Sequence, residues 1–323
     1  MILHTPVLLN EVCSFLRPES KLIVDCTLGH GGHAMTLLSL AKDAKLIGFD
    51  VDEIMLKKAE FRIQNSEKEI KSSGATHHPS FTKEDKKENN NVEEDGGRSR
   101  KIEERVEYVH ESYANIVSVL EGRKMDFILN DLGVNLEHFK AVERGFSIRG
   151  TANLDMRFDT STGASAADIL KTYSTDQLKD MFEHYADFSS AKAFQLAQHI
   201  VASRKQKAII TTQDFKILLN ECGLGDKACT VIFQSLRIET NKEMDNLKKF
   251  LSVFPETLNS TGRCLIITYH STEDRFVKQA FNALVATGNY KLVTKKAVQP
   301  NYKEVAVNRA ARSAKLRILE KIN

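Results

Sequence analysis

No apolar run in this 323-residue chain approaches the roughly 20 residues needed to span a bilayer, so no membrane-spanning helix is expected. Residues 1–12 carry neither the basic flank and apolar centre of a secretion signal nor an arginine-rich transit pattern, and a cytoplasmic location is the expectation. Cysteine is scarce and scattered: Cys13, Cys26, Cys222, Cys229 and Cys264 include no CxxC pair, which argues against a zinc site or a disulfide framework. They read as small buried hydrophobes in a reducing compartment, and no metal site is expected. Net charge is also small, at +3, so bulk electrostatics does not announce a nucleic-acid partner. Its distribution says more. From Lys291 onward Lys291, Lys295, Lys296, Lys303, Arg309, Arg312, Lys315, Arg317 and Lys321 face only Glu304 and Glu320. Such a tail suits phosphates or a solvated surface equally.

With 41% hydrophobic and 28% charged residues the chain can bury a sizeable core. Leu22–Asp25 and Leu46–Asp50 are apolar runs that end in an acid, and Val106–Val109 and Phe127–Leu129 read as two more strands. Ala34–Ala41 and Glu53–Gln64 have helical spacing between them. This alternation predicts a parallel sheet covered by helices on both faces. Residues 66–105 are polar, charged and without apolar periodicity, which predicts an exposed flexible insertion; His77 and His78 within it read as solvated. From about Ala164 to Gly223 the period becomes helical, over Ala166–Leu170, Thr175–Tyr185 and Ser190–Arg204, with Thr175 and Thr211 or Thr212 as caps. Arg263–Tyr269, a helix over Glu273–Val285, Tyr290–Thr294 and Ala314–Ile318 then resume the sheet. The expected organisation is a core in two parts, 1–138 and 229–323, around a helical domain at 139–228.

Asp25-Cys26-Thr27-Leu28-Gly29-His30-Gly31-Gly32-His33 lies between a strand and a helix. Glycines there permit positive φ and close approach of a ligand, and the helix amides can receive an anion. Asp50, ending the next strand, stands where an acid accepts the hydroxyls of a ribose. Gly29-x-Gly31-x-x-Ala34 with Asp50 about twenty residues on also satisfies a loose dinucleotide pattern, so a nicotinamide-dependent oxidoreductase stays open. Asp25 before the loop, Asn130-Asp131-Leu132-Gly133 after the fourth strand and the three-strand closing segment tilt toward S-adenosyl-L-methionine. His30 and His33 read as loop-packing residues.

Longer motifs carry a resemblance over nearly the whole chain. They are His4-Thr5-Pro6-Val7-Leu8-Leu9-Asn10-Glu11, the loop ending Gly31-Gly32-His33, Asp131-Leu132-Gly133-Val134, Glu143-Arg144-Gly145-Phe146-Ser147 and Leu154-Asp155-Met156-Arg157-Phe158-Asp159. Phe233-Gln234-Ser235-Leu236-Arg237-Ile238 with Asn241, His270-Ser271-Thr272-Glu273-Asp274-Arg275-Phe276-Val277-Lys278 and Asn308 to Arg317 complete the set. In these the chain resembles the RsmH (MraW) methyltransferases, which methylate the exocyclic N4 of a cytosine in the decoding region of 16S ribosomal RNA. The resemblance implies a class I, Rossmann-like α/β fold: a seven-stranded methyltransferase sheet with an inserted all-helical substrate domain. It implies S-adenosyl-L-methionine held by Gly31, Gly32, His33, Asp50, Tyr113 and Asp131. A further cofactor position falls on His138, where the family usually has glutamine. The chain also departs from the family at Asn135-Leu136-Glu137, Tyr185-Ala186-Asp187-Phe188-Ser189 and Ala228-Cys229-Thr230-Val231-Ile232.

Asn130 and Asp131 are the candidate acceptors at the target amino group, since such a group favours a pyramidal nitrogen and receives its developing positive charge. Asp131 could equally cap the following turn or hold cofactor. Arg144, Arg149, Arg157, Arg237, His270 and Arg312 are the candidates for RNA, with arginines suited to phosphates or to stacking. The expected partner is 16S ribosomal RNA within the small ribosomal subunit, with no membrane partner and with dimerisation left open. A methyltransferase-fold RNA-binding assembly factor without catalysis is the competing class.

Overall fold

The computed structural model describes residues 6–73, 101–134, 137 and 142–323. Strands buried on both faces show as continuous apolar runs. β1 (Leu22–Asp25), β2 (Lys45–Asp50) and β4 (Met125–Asp131) are of that kind, while β3 (Val106–His110) is a half-exposed edge. With β5 (Leu258–Thr268), β6 (Tyr290–Leu292) and β7 (Lys315–Lys321) they form one seven-stranded sheet in the order β3-β2-β1-β4-β5-β7-β6. The neighbours from β3 to β5 are parallel, and β7 alone runs the other way. The chain moves outward from β1 through β2 to β3, then returns to the other side of β1 as β4. That reversal opens a crevice at the carboxyl ends of β1 and β4, where ligands of open α/β sheets bind.

The chain divides into two compact units. The first comprises Met1–Leu132, Val253–Tyr269 and Lys278–Asn323 and contains the sheet. Its core packs Ile23, Leu37, Leu46, Phe127, Leu265 and Leu316. α1 (Leu9–Ser14), α2 (Gly32–Leu40), α3 (Glu53–Ser73) and α4 (Ile116–Leu120) belong to it. Helix α3 continues past Gln64 to Ser73, so residues 66–73 of the expected insertion are helical, and Ile102–Arg105 at its far end form a 3₁₀ turn. His77, His78 and the rest of 74–100 lie outside the described residues.

The second unit, Gly133–Ser252 with His270–Val277, is helical. α5 (Ala166–Thr172), α6 (Thr175–Ala186) and α8 (Thr212–Glu221) each start with a capping box, from Ser165 and Asp168, Ser174 and Gln177, and Thr211 and Asp214. Thr175 is therefore the first helical residue, and Ser174 is the cap. α7 (Ser190–Ser203), α9 (Asp226–Thr240) and α10 (Glu243–Val253) complete the helices before β5. Ile232, Phe233 and Leu236 of α9 pack with Leu170, Phe182 and Phe215. Residues after 228 thus continue the helical unit instead of resuming the sheet. Late in the chain come α11 (Ser271–Ala286) and α12 (Tyr302–Val307), the latter followed by a 3₁₀ turn, Arg309–Ser313. No helix among the described residues is long and apolar enough to cross a membrane.

Arg105 ties the end of α2 to the sheet edge. Its side chain is buried, and its guanidinium donates to the carbonyls of Ala41 (3.0 Å), Lys42 (2.8 Å), Ala44 (3.3 Å) and Leu38 (3.0 Å). Two of these, Leu38 and the C-cap Ala41, are carbonyls that a helix end leaves without intrahelical donors, and the other two belong to the turn into β2. Arg105→Met should lower stability in urea by roughly 2–4 kcal/mol, since several buried acceptors lose a charged donor at once. Arg105→Lys should recover only part of it, because one ammonium cannot span four carbonyls. An unchanged unfolding midpoint for the methionine variant would refute this role.

Candidate active site

The turn after β1 is built by backbone constraints. Leu28 donates to Phe49 O (2.8 Å) and Gly31 to Leu28 O (2.7 Å), and the turn closes only with Gly29 and Gly31 at positive φ, 53° and 72°. A side chain at Gly32 would meet Pro6, with a Cβ 2.5 Å from Cγ, so the N-terminal segment lies directly on the start of α2. His33 secures that segment: its Nε2 lies 3.0 Å from the Val7 carbonyl oxygen, and the ring is buried. Gly31 occupies the N-cap of α2 with no side chain to cap the helix.

Three carboxylates meet at this edge. Asp25, ending β1, is 1% exposed; its Oδ1 accepts the Thr27 amide (3.1 Å), while Oδ2 is buried with no partner among the described residues. Burial pushes its carboxyl up to about 7, with the charges of Asp131 and Asp50 adding to the effect and the Thr27 amide opposing it. Asp50, ending β2, accepts Gly29 N–H on Oδ2 and Asp52 N–H on Oδ1, both at 2.9 Å. Asp131, ending β4, donates its own amide to Thr27 Oγ1 (2.9 Å), and its Oδ1 accepts the Tyr269 hydroxyl at 2.9 Å. Asn130 beside it is fully buried, and neither atom of its amide has a partner among the described residues. Tyr113 opens the 3₁₀ turn Tyr113–Asn115 just after β3, the strand whose His110 pairs with Asp50.

The first unit thus gathers Gly31, Gly32, His33, Asp50, Asp131 and Asn130 around the β1 turn. Two participants, Thr27 and Tyr269, escape sequence reasoning. Thr27 precedes the more conspicuous glycines of the turn, and Tyr269 reaches Asp131 only through the pairing of β4 with β5. His138 lies outside the described residues.

The candidates for RNA fare differently. Arg157 forms a two-pronged pair with Asp155, at 2.8 Å on each side, and Arg237 does the same with Glu243, at 2.8 and 2.9 Å. Arg144 donates to the carbonyls of Arg157 and Phe158, both at 2.7 Å, and lies over the Phe146 ring. His270 stands 2.8 Å from the buried carboxylate of Glu273. These four side chains are engaged within the second unit. Arg149 and Arg312 are exposed.

Residues 1–322 match the family model for the MraW methylase family. The chain is 36% identical over 328 residues to the ribosomal RNA small subunit methyltransferase H of Elusimicrobium minutum, covering 99% of this chain and 98% of that protein. It is 35% identical to the protein of the same name from Endomicrobium trichonymphae, covering 98% of each chain.

The carboxyl of Asp25 generates a pH dependence with a definite sign. Unfolded, it releases its proton near the ordinary value of about 3.9; folded, it keeps the proton up to about 7. Between these limits the unfolded chain binds fewer protons, so this group removes stability as pH rises, by about 1.4 kcal/mol per unit at most. Asp25→Asn should therefore stabilise the ligand-free protein at pH 7.5 and flatten its stability profile between pH 4 and 7. Chemical denaturation across that range tests it; parallel profiles for the two proteins would count against a protonated Asp25.

Proposed function

The chain belongs to the MraW methylase family, and from that membership we propose that it moves a methyl group from S-adenosyl-L-methionine to the exocyclic N4 of a cytosine in 16S ribosomal RNA of the small ribosomal subunit. The observation that carries this reading is Asp131, a carboxylate at the carboxyl end of β4 held by Tyr269 beside the glycine turn.

The residues at the turn suit S-adenosyl-L-methionine. The buried, unpartnered Oδ2 of Asp25 is an acceptor for an ammonium group, which would also draw off the carboxyl proton. Asp50 ends β2 with each oxygen accepting a backbone amide, which fixes its carboxylate beside the turn, where a ribose would present its hydroxyls. The uncapped first turn of α2 offers amides to a carboxylate. Gly31, Gly32, His33 and Tyr113 shape the walls.

When bound, this group supplies a methyl carried on a sulfonium, an electrophile that must be approached in line at about 3–3.5 Å. Cytosine N4 is a weak nucleophile because its lone pair is delocalised into the ring. Asp131 accepts an N4 hydrogen, which favours a pyramidal nitrogen, and takes the proton that N4 sheds on gaining the methyl group. Tyr269 fixes the rotation of that carboxylate. Asn130, sealed from solvent with its amide unmatched among the described residues, offers a donor and an acceptor to a group bound beside it. An unstacked cytosine is required, so the target lies in an open loop or a bent strand.

Purified protein given labelled S-adenosyl-L-methionine and small subunits lacking the mark should produce N4-methylcytidine, identified by nucleoside mass spectrometry. Asp131→Ala should slow turnover by about 10²- to 10⁴-fold. Tyr269→Phe should slow it about tenfold with cofactor affinity held, the loss of one hydrogen bond made by a charged group. A methyl group found on carbon or on protein would overturn the assignment, and so would full activity of Asp131→Ala.

A further inference from the structure

The segment between β6 and β7 has features that the methyl-transfer site does not use. Helix α12 buries none of its residues, and Tyr302 at its start is 86% exposed. An aromatic ring left this far in water gains nothing for the fold. In the same segment Lys295, Lys296, Lys303, Arg309 and Arg312 are exposed, and none is paired with an acid among the described residues. The one acid of residues 295–312, Glu304, is committed elsewhere: its Oε1 accepts the Leu8 amide at 2.7 Å, and burial pushes its carboxyl above the ordinary range. The surface therefore carries unbalanced positive charge around an unpartnered ring.

Its position in the first unit is set by the reversed strand. β7 is antiparallel, so it enters the sheet at the edge where the parallel strands end. Its first residue, Lys315, pairs with Thr268, next to the Tyr269 that holds Asp131. At the other end, Glu304 fastens α12 to Leu8, whose neighbour Val7 is bound by His33 of the cofactor turn. Residues 295–313 are thus tied at both ends to elements that carry the proposed site, through Leu8 and Val7 to the turn after β1 and through Lys315 to the end of β5.

We infer that this surface binds the single-stranded RNA next to the target cytosine, with a base stacked on Tyr302 and the backbone running past Lys303 and Arg309. Cations that track phosphates around an aromatic platform are how single strands are held without base-specific hydrogen bonds. The inference rests on the ribosomal RNA reading above but not on which atom is methylated.

The test measures binding of a labelled 12-nucleotide single-stranded RNA by fluorescence anisotropy, alongside methylation of naked 16S RNA and of intact small subunits. Tyr302→Ala should weaken binding roughly 5- to 150-fold, the range for loss of one stacked base. It should raise KM for naked RNA similarly, with cofactor affinity, melting temperature and kcat unchanged. Tyr302→Trp should restore binding. Replacing Lys303 and Arg309 together by Ala should flatten the salt dependence by about 1.4 in the log–log slope, whereas Tyr302→Ala should leave that slope alone. Three outcomes would each overturn the inference: unchanged binding by Tyr302→Ala, failure of tryptophan to restore it, or a loss seen with intact subunits but not with naked RNA, which marks a protein-facing patch. Nucleoside analysis of the wild-type product judges the N4 assignment separately, so either reading can fail alone.

Discussion

The ends of β1, β2 and β4 bring the carboxylates of Asp25, Asp50 and Asp131 into one low-dielectric corner, and three negative charges there repel one another. Each is managed by a different device. Asp50 is held by two backbone amides supplied by the turns on either side of it. Asp131 receives a phenol from the neighbouring strand. Asp25 has its carboxyl pushed up to about 7 by burial, which leaves half of it without a donor. The last device is costly to the empty protein, and under the proposed function a bound ammonium would supply the missing partner. Preorganisation here therefore consists of one acid left unsatisfied between two that are fixed.

The helical unit puts its charges to another use. Asn241 donates to the carbonyls of Met156 and Arg237 and accepts the Phe158 amide, and so it binds the end of α9 to the Leu154–Asp159 stretch. Met156 takes a positive φ in that stretch, and Gly145 admits no side chain, since a Cβ there would stand 2.2 Å from the Asn153 carbonyl oxygen. Arg144, Arg157 and Arg237 fill the remaining polar valences. Removing one partner of such a pair leaves a partly buried charge or carbonyl exposed to low dielectric, so these residues carry structural weight whatever else they touch.

Much of this was legible in the chain. Strands buried on both faces must be apolar throughout, so β1, β2 and β4 stood out, and each ended in the acid that the site employs. The glycine turn was readable because only glycine tolerates its φ values. The helix start at Thr211 was readable from local capping, which needs only a few residues of sequence, whereas the cap expected at Thr175 lies one residue earlier, at Ser174. Side-chain destinations were not readable. Arg105 sat inside a polar stretch and proved to cap a helix some sixty residues earlier. The apolar spacing of α9 stated that one face is buried but not against what, so the helical unit extended past residue 228.

The order of apolar runs, acids and glycines determined the parallel sheet, the turn after β1 and the identity of the acids around it, because these follow from backbone sterics and from burial on both faces. Only the tertiary structure decided which charges are spent internally, because a guanidinium meets its carboxylate or carbonyl through folding and not through spacing. It also decided that Tyr269 meets Asp131, 138 residues away, because the pairing of β4 with β5 sets which side chains share the sheet edge. The reversed β7 decided that the basic tail begins beside the site, since strand direction is a property of the assembled sheet.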